Sequence, residues 1–363
     1  MSVVSSFLTV WRHPERLIGM APAQQDLMLR MARCSGLLAT LDARLQQSGT
    51  LDQLAPRIQD LLEGVRIYAA NQERAVRWEV NRIQRAFFGT GLPVILLKGA
   101  AYHLRNLPWS RGRLTSDVDL LLPEESLPAA EACLKQHGWV AAITDPYDQR
   151  YYRQWMHELP PLHHPLRQTE LDLHHAIVPR TSRLCFDARL LLERLQPVPG
   201  HPGVWTLCPE DMMLHAVVHL CHDGDFQRMA WRDLLDIDAF FQEFSSDADF
   251  GTRLMARAEA LGLRPSLELA ARLLTRVVGT PLPAGLAGQI RQHAGGICES
   301  CMVHLLVPRH PDGQGVDPGT LLAQELLYIR SHWLRMPLWL LLPHLTRKWV
   351  RNWSSDVWPR RSL

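Results

Sequence analysis

Two short stretches rich in apolar residues lie in the first third of the chain, at 94–97 and, interrupted by Asp119, at 118–122. Each run has the length of a buried strand, and turn-forming residues lie between them. Alternating or apolar stretches further along the chain indicate additional strands, with a turn at 165–168. These additional strands are predicted at about 139–144, 157–164 and 169–177.

Helical periodicity dominates the remainder of the sequence. Between about 24 and 88, apolar positions recur at helix spacing, and Gly49 and Pro56 interrupt the pattern. We therefore expect antiparallel helices here, the last and longest covering about 65–88. Further helices are predicted at 123–136, from about 209, and at 231–238, 249–261, 264–278 and 283–293.

The order of these elements predicts an α+β fold in which helices precede and follow a small mixed β-sheet. One stretch, 145–156, is aromatic-rich and is predicted to be irregular; its tyrosines either stack on a ligand or pack locally. The predicted division is an N-terminal helical region at 1–90, a sheet core at 91–205, a helical domain at 206–308, and a loop with a basic and aromatic tail at 309–363.

Two aspartates mark the second apolar run as a candidate site. Side chains alternate along a strand, so Asp117 and Asp119 project from one face while Val118 and Leu120 point into the core. Paired carboxylates are ligands that Mg²⁺ prefers. Gly99, which follows the first run, permits close approach of a phosphate to the backbone. A solvated acidic strand face is the alternative.

Composition narrows the class of protein. The chain has 363 residues, 47% hydrophobic and 21% charged, so it can bury a large core. Its formal net charge of +2 is too small to indicate non-specific nucleic-acid binding. Seven cysteines argue against a disulfide framework, and neither a signal peptide nor an apolar run of about 18 residues is present. A cytoplasmic protein is therefore expected.

Three motifs occur in a characteristic order: Leu97-Lys98-Gly99, Ser116-Asp117-Val118-Asp119 and Leu171-Asp172-Leu173-His174. On these motifs, the segment from about 80 to 241 resembles an uncharacterised bacterial nucleotidyltransferase family within the DNA polymerase β-like nucleotidyltransferase superfamily. Ala100 stands where many members of the superfamily have Gly or Ser. That change keeps a backbone amide for phosphate but removes a hydroxyl contact.

The resemblance implies that Asp117, Asp119 and Asp172 are catalytic and bind two Mg²⁺ ions, or Mn²⁺ in their place. Asp172 takes the position of the superfamily's third carboxylate, and Glu170 is a less favoured substitute. One ion would lower the pKa of the attacking hydroxyl and the other would offset charge on the leaving pyrophosphate. The implied nucleotide-binding residues are Lys98, Gly99, Ala100, Arg111, Arg113, Ser116 and His174.

The predicted activity is magnesium-dependent transfer of a nucleoside monophosphate from a nucleoside triphosphate, such as ATP, to a hydroxyl group. RNA, protein, a small molecule and a polysaccharide precursor all remain open as the acceptor. The alternative is a catalytically inactive nucleotide-binding protein on the same fold. The presence of all three aspartates favours an enzyme, because an inactive site has no need to keep carboxylates that repel one another.

A third feature is the cluster of His215, His219 and His222 on the helix that begins near 209. Two histidines four residues apart can share a zinc ion, but Ala216 stands where the zinc-protease pattern requires glutamate. The favoured interpretation is that these histidines border the pocket or bond to the core. A zinc-dependent hydrolase is the less favoured alternative.

The C-terminal part of the chain contains a cysteine pair and a basic, tryptophan-rich tail. Cys298 and Cys301 have two-ligand zinc spacing, but the sequence contains no second such pair, so structural zinc is not expected. The tail from 328 to 353 combines tryptophans with basic residues, which suits contact with an anionic membrane surface. Packing of the tail on the N-terminal helices is the favoured alternative.

Overall fold

The computed structural model describes residues 3–184, 186–222, 226–291, 296–306, 317–337, 339–341 and 346. Within these ranges the strands are β1 Val94–Leu96, β2 Asp117–Leu121, β3 Val140–Ala141, β4 Leu162–His164, β5 Thr169–His174, β6 Gln196–Pro197 and β7 Val204–Thr206. They form one seven-stranded sheet in the order β3-β4-β5-β2-β1-β7-β6.

The centre of the sheet is mixed in direction. β2 pairs antiparallel with β1 on one side and parallel with β5 on the other, and β1 pairs parallel with β7. The apolar residues of β1 and β2 are almost fully buried. This burial explains why β1 and the second half of β2 are apolar without alternation, since central strands are covered on both faces; Asp119 is the buried exception in β2.

Helices surround the sheet, and those before it are α1 Val3–Arg12, α2 Pro22–Cys34, α3 Leu38–Gln47 and α4 Pro56–Phe87. Within and after the sheet the described helices are α5 Lys98–Leu104, α6 Leu127–Gln136, α7 Pro146–Trp155, α8 Arg189–Leu192, α9 Pro209–His222, α10 Phe226–Glu243, α11 Phe250–Ala260, α12 Arg264–Leu273, α13 Ala284–Ala287, α14 Ile297–Leu305 and α15 Pro318–Arg335. Short helical turns occur at Pro14–Leu17, Leu51–Gln53, Pro108–Ser110, Glu124–Ser126 and Leu274–Val278.

The longest helix, α4, shows how sequence periodicity produces the packing. It has 32 residues and begins at Pro56, whose fixed φ suits the first turn. Val76, Val80, Ile83 and Phe87 recur every three or four positions and are all buried. This apolar stripe joins the same hydrophobic core as the residues of β1 and β2. The predicted α+β class, with helices on both sides of a mixed sheet, is confirmed.

One local prediction is wrong: the stretch 145–156 is not irregular but forms α7. The Asp145 side chain caps the helix by accepting hydrogen bonds from the backbone amides of Tyr147 and Asp148. Asp145 followed by Pro146 is a typical start of a helix, because the carboxylate satisfies free amides and proline suits the first turn. The aromatic residues obscured this signal.

Other predicted boundaries are shortened. The strands predicted at 139–144, 157–164 and 169–177 are present only as β3, β4 and β5, and α13 is shorter than its predicted helix. The predicted loop at 309–319 lies largely outside the described residues, as does the tail beyond Leu341 except for Thr346. None of the described helices is both long enough and apolar enough to cross a membrane.

Candidate active site

The two strands that carry the predicted acids lie side by side in the sheet. β2 and β5 pair in parallel, and their register places Asp119 directly opposite Asp172. Residues at one register position of a parallel pair share a face, so the two carboxylates meet. His174 completes a group in which the three ligand atoms all lie within 4.8 Å of one another.

Asp119 is the most extensively hydrogen-bonded carboxylate of this group. Its side chain is almost fully buried, and its Oδ1 accepts hydrogen bonds from Lys98 Nζ and from His174 Nε2, each at 2.9 Å. Burial raises the pKa of the Asp119 carboxyl, but the Lys98 ammonium and the His174 hydrogen bond outweigh burial and hold the pKa well below its usual range. Asp119 is therefore an anion at neutral pH.

Lys98 reaches Asp119 because of an unusual turn between β1 and α5. Lys98 has a φ of 45°, a left-handed conformation that side chains other than glycine rarely adopt. At the next residue, Gly99, an added Cβ would collide with the Thr115 side chain, so only glycine fits. Burial lowers the pKa of Lys98, whereas Asp119 and Glu158 raise it further, so the net shift is upward and the amine stays charged.

Asp172 differs from Asp119 because it lacks a neutralising partner. Its Oδ1 is buried and has no hydrogen-bond partner among the described residues. Burial raises the pKa of Asp172 to about 7, and the charges of Asp119 and Glu158 raise it in the same direction. A buried acceptor without a donor is costly unless a proton or a cation occupies it. The orphaned oxygen next to a second carboxylate therefore fits a divalent cation.

The remaining motif residues surround this pair less closely. Asp117 is half-buried at the start of β2, opposite Glu170, and it belongs to neither group of possible metal ligands found in the described part of the chain. Ser116 is exposed and Ala100 is buried in α5. The metal-binding role of Asp117 and the phosphate contacts of Ser116 and Ala100 stay predictions.

Sequence reasoning missed two functional candidates, His157 and Glu158. Together with His174 they form a second group whose ligand atoms lie within 4.8 Å of one another. Glu158, which precedes β4 in the chain, pairs with His174 through an isolated antiparallel bridge. The adjacent His-Glu pair was a usable signal, but its distance from the aspartates depends on a long-range pairing that local patterns do not show.

A cavity of about 300 Å³ opens beside these acids. Lys98, Asp172 and Glu158 line it, together with residues of α9. Arg335, at the end of α15, and Tyr152 of α7 also line it. This cleft, lined by residues of the sheet and of four helices, is the place where a substrate can meet the carboxylates.

The two predicted phosphate-binding arginines do not line this cleft. Arg113 is buried and donates to Asp236 Oδ2 at 2.8 Å and to Thr115 Oγ1 at 3.0 Å. Arg111 is exposed and, with Arg113, lines two other cavities of about 250 and 320 Å³. Their contact with triphosphate stays a prediction, since Arg113 is already held by a buried carboxylate.

The three histidines of α9 line the cleft, as the favoured interpretation expected. His219 Nδ1 lies 2.6 Å from Asp233 Oδ2, and His222 Nε2 lies 2.9 Å from Ser266 Oγ. No candidate metal group among the described residues contains His215, His219 or His222.

Cys298 and Cys301 are free thiols on α14, and neither belongs to a candidate metal group within the described ranges.

Comparison with known proteins agrees with this geometry. Residues 21–279, more than half of the chain, match a protein family described as "Uncharacterised nucleotidyltransferase". The matched region contains the whole sheet and the candidate metal groups, and it ends before α14 and α15. No curated protein and no solved structure matches the chain.

Proposed function

Because the chain belongs to this uncharacterised nucleotidyltransferase family, we propose that it transfers a nucleoside monophosphate from a nucleoside triphosphate to a hydroxyl group of an acceptor. The observation that carries the proposal is the pair formed by Asp119 and the orphaned Asp172 at the edge of a cleft. RNA, protein and small molecules remain the candidate acceptors.

Divalent cations would bind at Asp119 and Asp172, with Asp117 as a further ligand at the start of the same strand. Mg²⁺ suits these oxygen donors and usually keeps contacts to substrate phosphates, and Mn²⁺ takes the same ligands. When bound, such ions supply charge neutralisation at the triphosphate and acidify the attacking hydroxyl. Two carboxylates within 4.8 Å of one another repel, and a shared cation relieves that repulsion.

Asp172 is proposed to accept the proton of the attacking hydroxyl. A general base works best when its pKa lies near the operating pH, and burial places the pKa of Asp172 at about 7. Its carboxylate also lines the cleft, where an acceptor hydroxyl can approach. Asp119 is unsuited to this role because its pKa is held far lower.

Lys98 is proposed to hold the triphosphate. Its side chain lines the cleft and forms a salt bridge with Asp119 at 2.9 Å. A side chain with three donors can add a phosphate oxygen to this contact. The strained φ at Lys98 supports a functional role, since such strain persists where the surroundings enforce it.

A catalytically inactive nucleotide-binding protein remains a second candidate. Its support is the occupation of Asp119 Oδ1 by both Lys98 and His174, which closes that oxygen to a cation until a partner moves. This candidate predicts metal-dependent nucleotide binding without release of pyrophosphate.

The test incubates the full chain with each of the four ribonucleoside triphosphates, labelled on the α-phosphate, together with Mg²⁺ or Mn²⁺. Fractions of cellular RNA, protein and metabolites serve as acceptors, and released pyrophosphate and transferred label are measured. Asp172→Asn should abolish both signals. The matched control is Asp60→Asn, which removes an exposed carboxylate of α4 and should leave them unchanged. Equal turnover in Asp172→Asn and wild type would refute the proposal.

A further inference from the structure

We propose that His157, Glu158 and His174 form a site for a divalent transition-metal ion in the wall of the cleft. The donor set, two imidazoles and one carboxylate, differs from the all-oxygen set that the proposed reaction requires. Imidazole nitrogen suits Mn²⁺, Fe²⁺, Co²⁺ and Zn²⁺ better than it suits Mg²⁺. The site therefore selects a softer ion than magnesium.

The side chains already lie in a ligating arrangement. Glu158 Oε2 lies 3.4 Å from His174 Nε2 and 3.8 Å from His157 Nε2. These separations suit ligands that share one ion at about 2.1 Å from each donor. The imidazole rings of His157 and His174 have centroids 5.3 Å apart and are tilted by 39°, so both rings flank the same carboxylate.

Backbone pairing fixes this arrangement. The His175 amide donates to the His157 carbonyl at 2.9 Å, and the Leu159 amide donates to the Leu173 carbonyl at 2.9 Å. The segment 157–159 thus continues the sheet beside β5, and Glu158 and His174 form the bridge between them. A site on paired strands keeps its geometry without an ion, which lowers the cost of binding.

The distances to Glu158 are those of the Nε2 atoms, and the second nitrogen of each ring is also unusual. The Nδ1 atoms of His157 and His174 are both buried and have no hydrogen-bond partner in the described part of the chain. Buried polar atoms without partners are uncommon, and each calls for an unseen ligand or a functional reason. His174 is fully buried, and its Nε2 atom contacts both Asp119 and Glu158. Ligation of an ion by this nitrogen would replace its hydrogen bond to Asp119.

The experiment uses the full chain after treatment with a chelator. Mn²⁺ is titrated in and followed by electron paramagnetic resonance, and pulsed spectra report coupling of the bound ion to imidazole ¹⁴N. We expect nitrogen-coupled Mn²⁺ that Zn²⁺ displaces and that millimolar Mg²⁺ does not. His157→Ala should weaken Mn²⁺ binding by at least about 10-fold and reduce the ¹⁴N coupling.

His163→Ala is the matched control because it removes a histidine from the neighbouring strand β4, outside both groups of candidate ligands. Circular dichroism melts of both variants show whether either substitution unfolds the chain, and His157→Gln repeats the test with less loss of volume. Mn²⁺ bound without ¹⁴N coupling, or with equal affinity in wild type and His157→Ala, would overturn the site.

This test separates the metal site from the proposed function. Nitrogen-coupled Mn²⁺ in a protein that never releases pyrophosphate would support the site and refute nucleotidyl transfer. Conversely, magnesium-dependent turnover that requires Asp172, in a protein without nitrogen-coupled Mn²⁺, would support transfer and overturn the site.

A separate observation concerns α15, whose outer face is strongly apolar. Its opposite face is buried through Ala323, Leu327, Ser331 and His332. The exposed residues of the helix include five large hydrophobic side chains and Glu325. The exposed fractions of these five are Leu321 51%, Leu322 61%, Leu326 38%, Ile329 58% and Trp333 45%. Such a contiguous exposed apolar face marks an interaction surface.

We infer that this face binds an anionic membrane surface. The sequence that follows α15 is basic, and Trp339 beside it is 67% exposed. Between residues 342 and 363 the chain carries five basic residues and a single acidic one, Asp356. A helix with an apolar face next to basic and tryptophan-rich sequence is typical of interfacial binding to anionic lipid.

Flotation of the full chain with vesicles tests this inference. We expect binding to vesicles that contain phosphatidylglycerol and weak binding to phosphatidylcholine alone. Leu326→Asp combined with Ile329→Asp should reduce flotation by roughly 10-fold. The control is Ile67→Asp, which charges an equally exposed hydrophobic residue on α4. Flotation unaffected by the double variant, or self-association through this face without vesicle binding, would overturn the inference.

Discussion

Buried carboxylates in the helical layer and in the cleft are neutralised in different ways. On α9, Asp211 accepts from Arg257 Nε at 2.7 Å and Nη2 at 2.8 Å, one bond to each oxygen. In the cleft, Asp119 receives both of its donors, from Lys98 and His174, on a single oxygen. The buried Oδ1 of Asp172 has no donor within the residues described.

The difference separates carboxylates that stabilise the fold from those that are available to a ligand. An arginine fork satisfies a carboxylate completely and cannot be deprotonated, so Asp211 has no capacity left for a cation. Glu79 of α4 is held by Arg167 in the same manner. The cleft keeps an unsatisfied acceptor at a cost in stability, as functional sites commonly do.

The largest expected effect concerns turnover. Asp119→Asn should reduce pyrophosphate release by at least about 1,000-fold, because it removes a charge that the proposed reaction needs at its centre. Asp211→Asn should leave the turnover of the folded fraction within about 2-fold, since Asp211 contacts Arg257 and not the cleft. Similar losses of turnover in Asp119→Asn and Asp211→Asn would contradict the distinction between the two regions.

The second prediction concerns stability, and here the larger effect is expected in the helical layer and not in the cleft. Arg257→Met should lower the free energy of unfolding by about 3 kcal/mol or more, because it leaves the fully buried Asp211 carboxylate without a positively charged partner. Lys98→Met should cost less, since Asp119 keeps its bond to His174. Urea unfolding of both variants measures the difference. A larger loss for Lys98→Met would mean that the cleft also serves mainly to stabilise the fold.

The third prediction uses ion binding. Mg²⁺ at 100 times its Kd should raise the free energy of unfolding of the wild type by about 2.7 kcal/mol, because the folded state alone presents the carboxylate ligands. Asp172→Asn should lose most of this gain, whereas Arg257→Met should keep it. Melting with and without a chelator provides the measurement, and equal gains in all three proteins would contradict the assignment of the site.

The sequence predicted the acids of the site better than it predicted their partners. The family resemblance, carried by the order of the motifs, implied that Asp172 joins Asp117 and Asp119, and strand alternation placed Asp172 and His174 on one face of their strand. The helices before and after the sheet were predicted from apolar periodicity. These features depend on local patterns that a sequence displays directly.

Features that depend on long-range contacts were not predicted. Arg113 pairs with Asp236, 123 residues away, and nothing near Arg113 in the sequence indicates that partner. Glu158 reaches the site through one isolated bridge to His174. Helix α7 was missed for a different reason, since its Asp145 cap is a local signal that the neighbouring aromatic residues outweighed in the interpretation.

The smallest expected effect is the pH dependence of stability that comes from Asp172. Its pKa is 3.8 in the unfolded chain and about 7 in the folded protein. Below pH 4 both states are protonated and the group contributes nothing. Between pH 4 and 7 the folded state holds a proton that the unfolded state has released, so stability falls as pH rises. Above pH 7 the destabilisation is complete.

Asp172→Asn removes this dependence and leaves the other buried carboxylates in place. In the presence of a chelator, the melting temperature of Asp172→Asn should exceed that of the wild type by at least about 2 °C at pH 8, and the two should converge at pH 4. Arg257→Met should instead melt below the wild type throughout this range. If the difference in melting temperature between Asp172→Asn and wild type does not change with pH, ionisation of Asp172 does not destabilise the folded state. The contrast between the two regions would then rest on Asp119 alone.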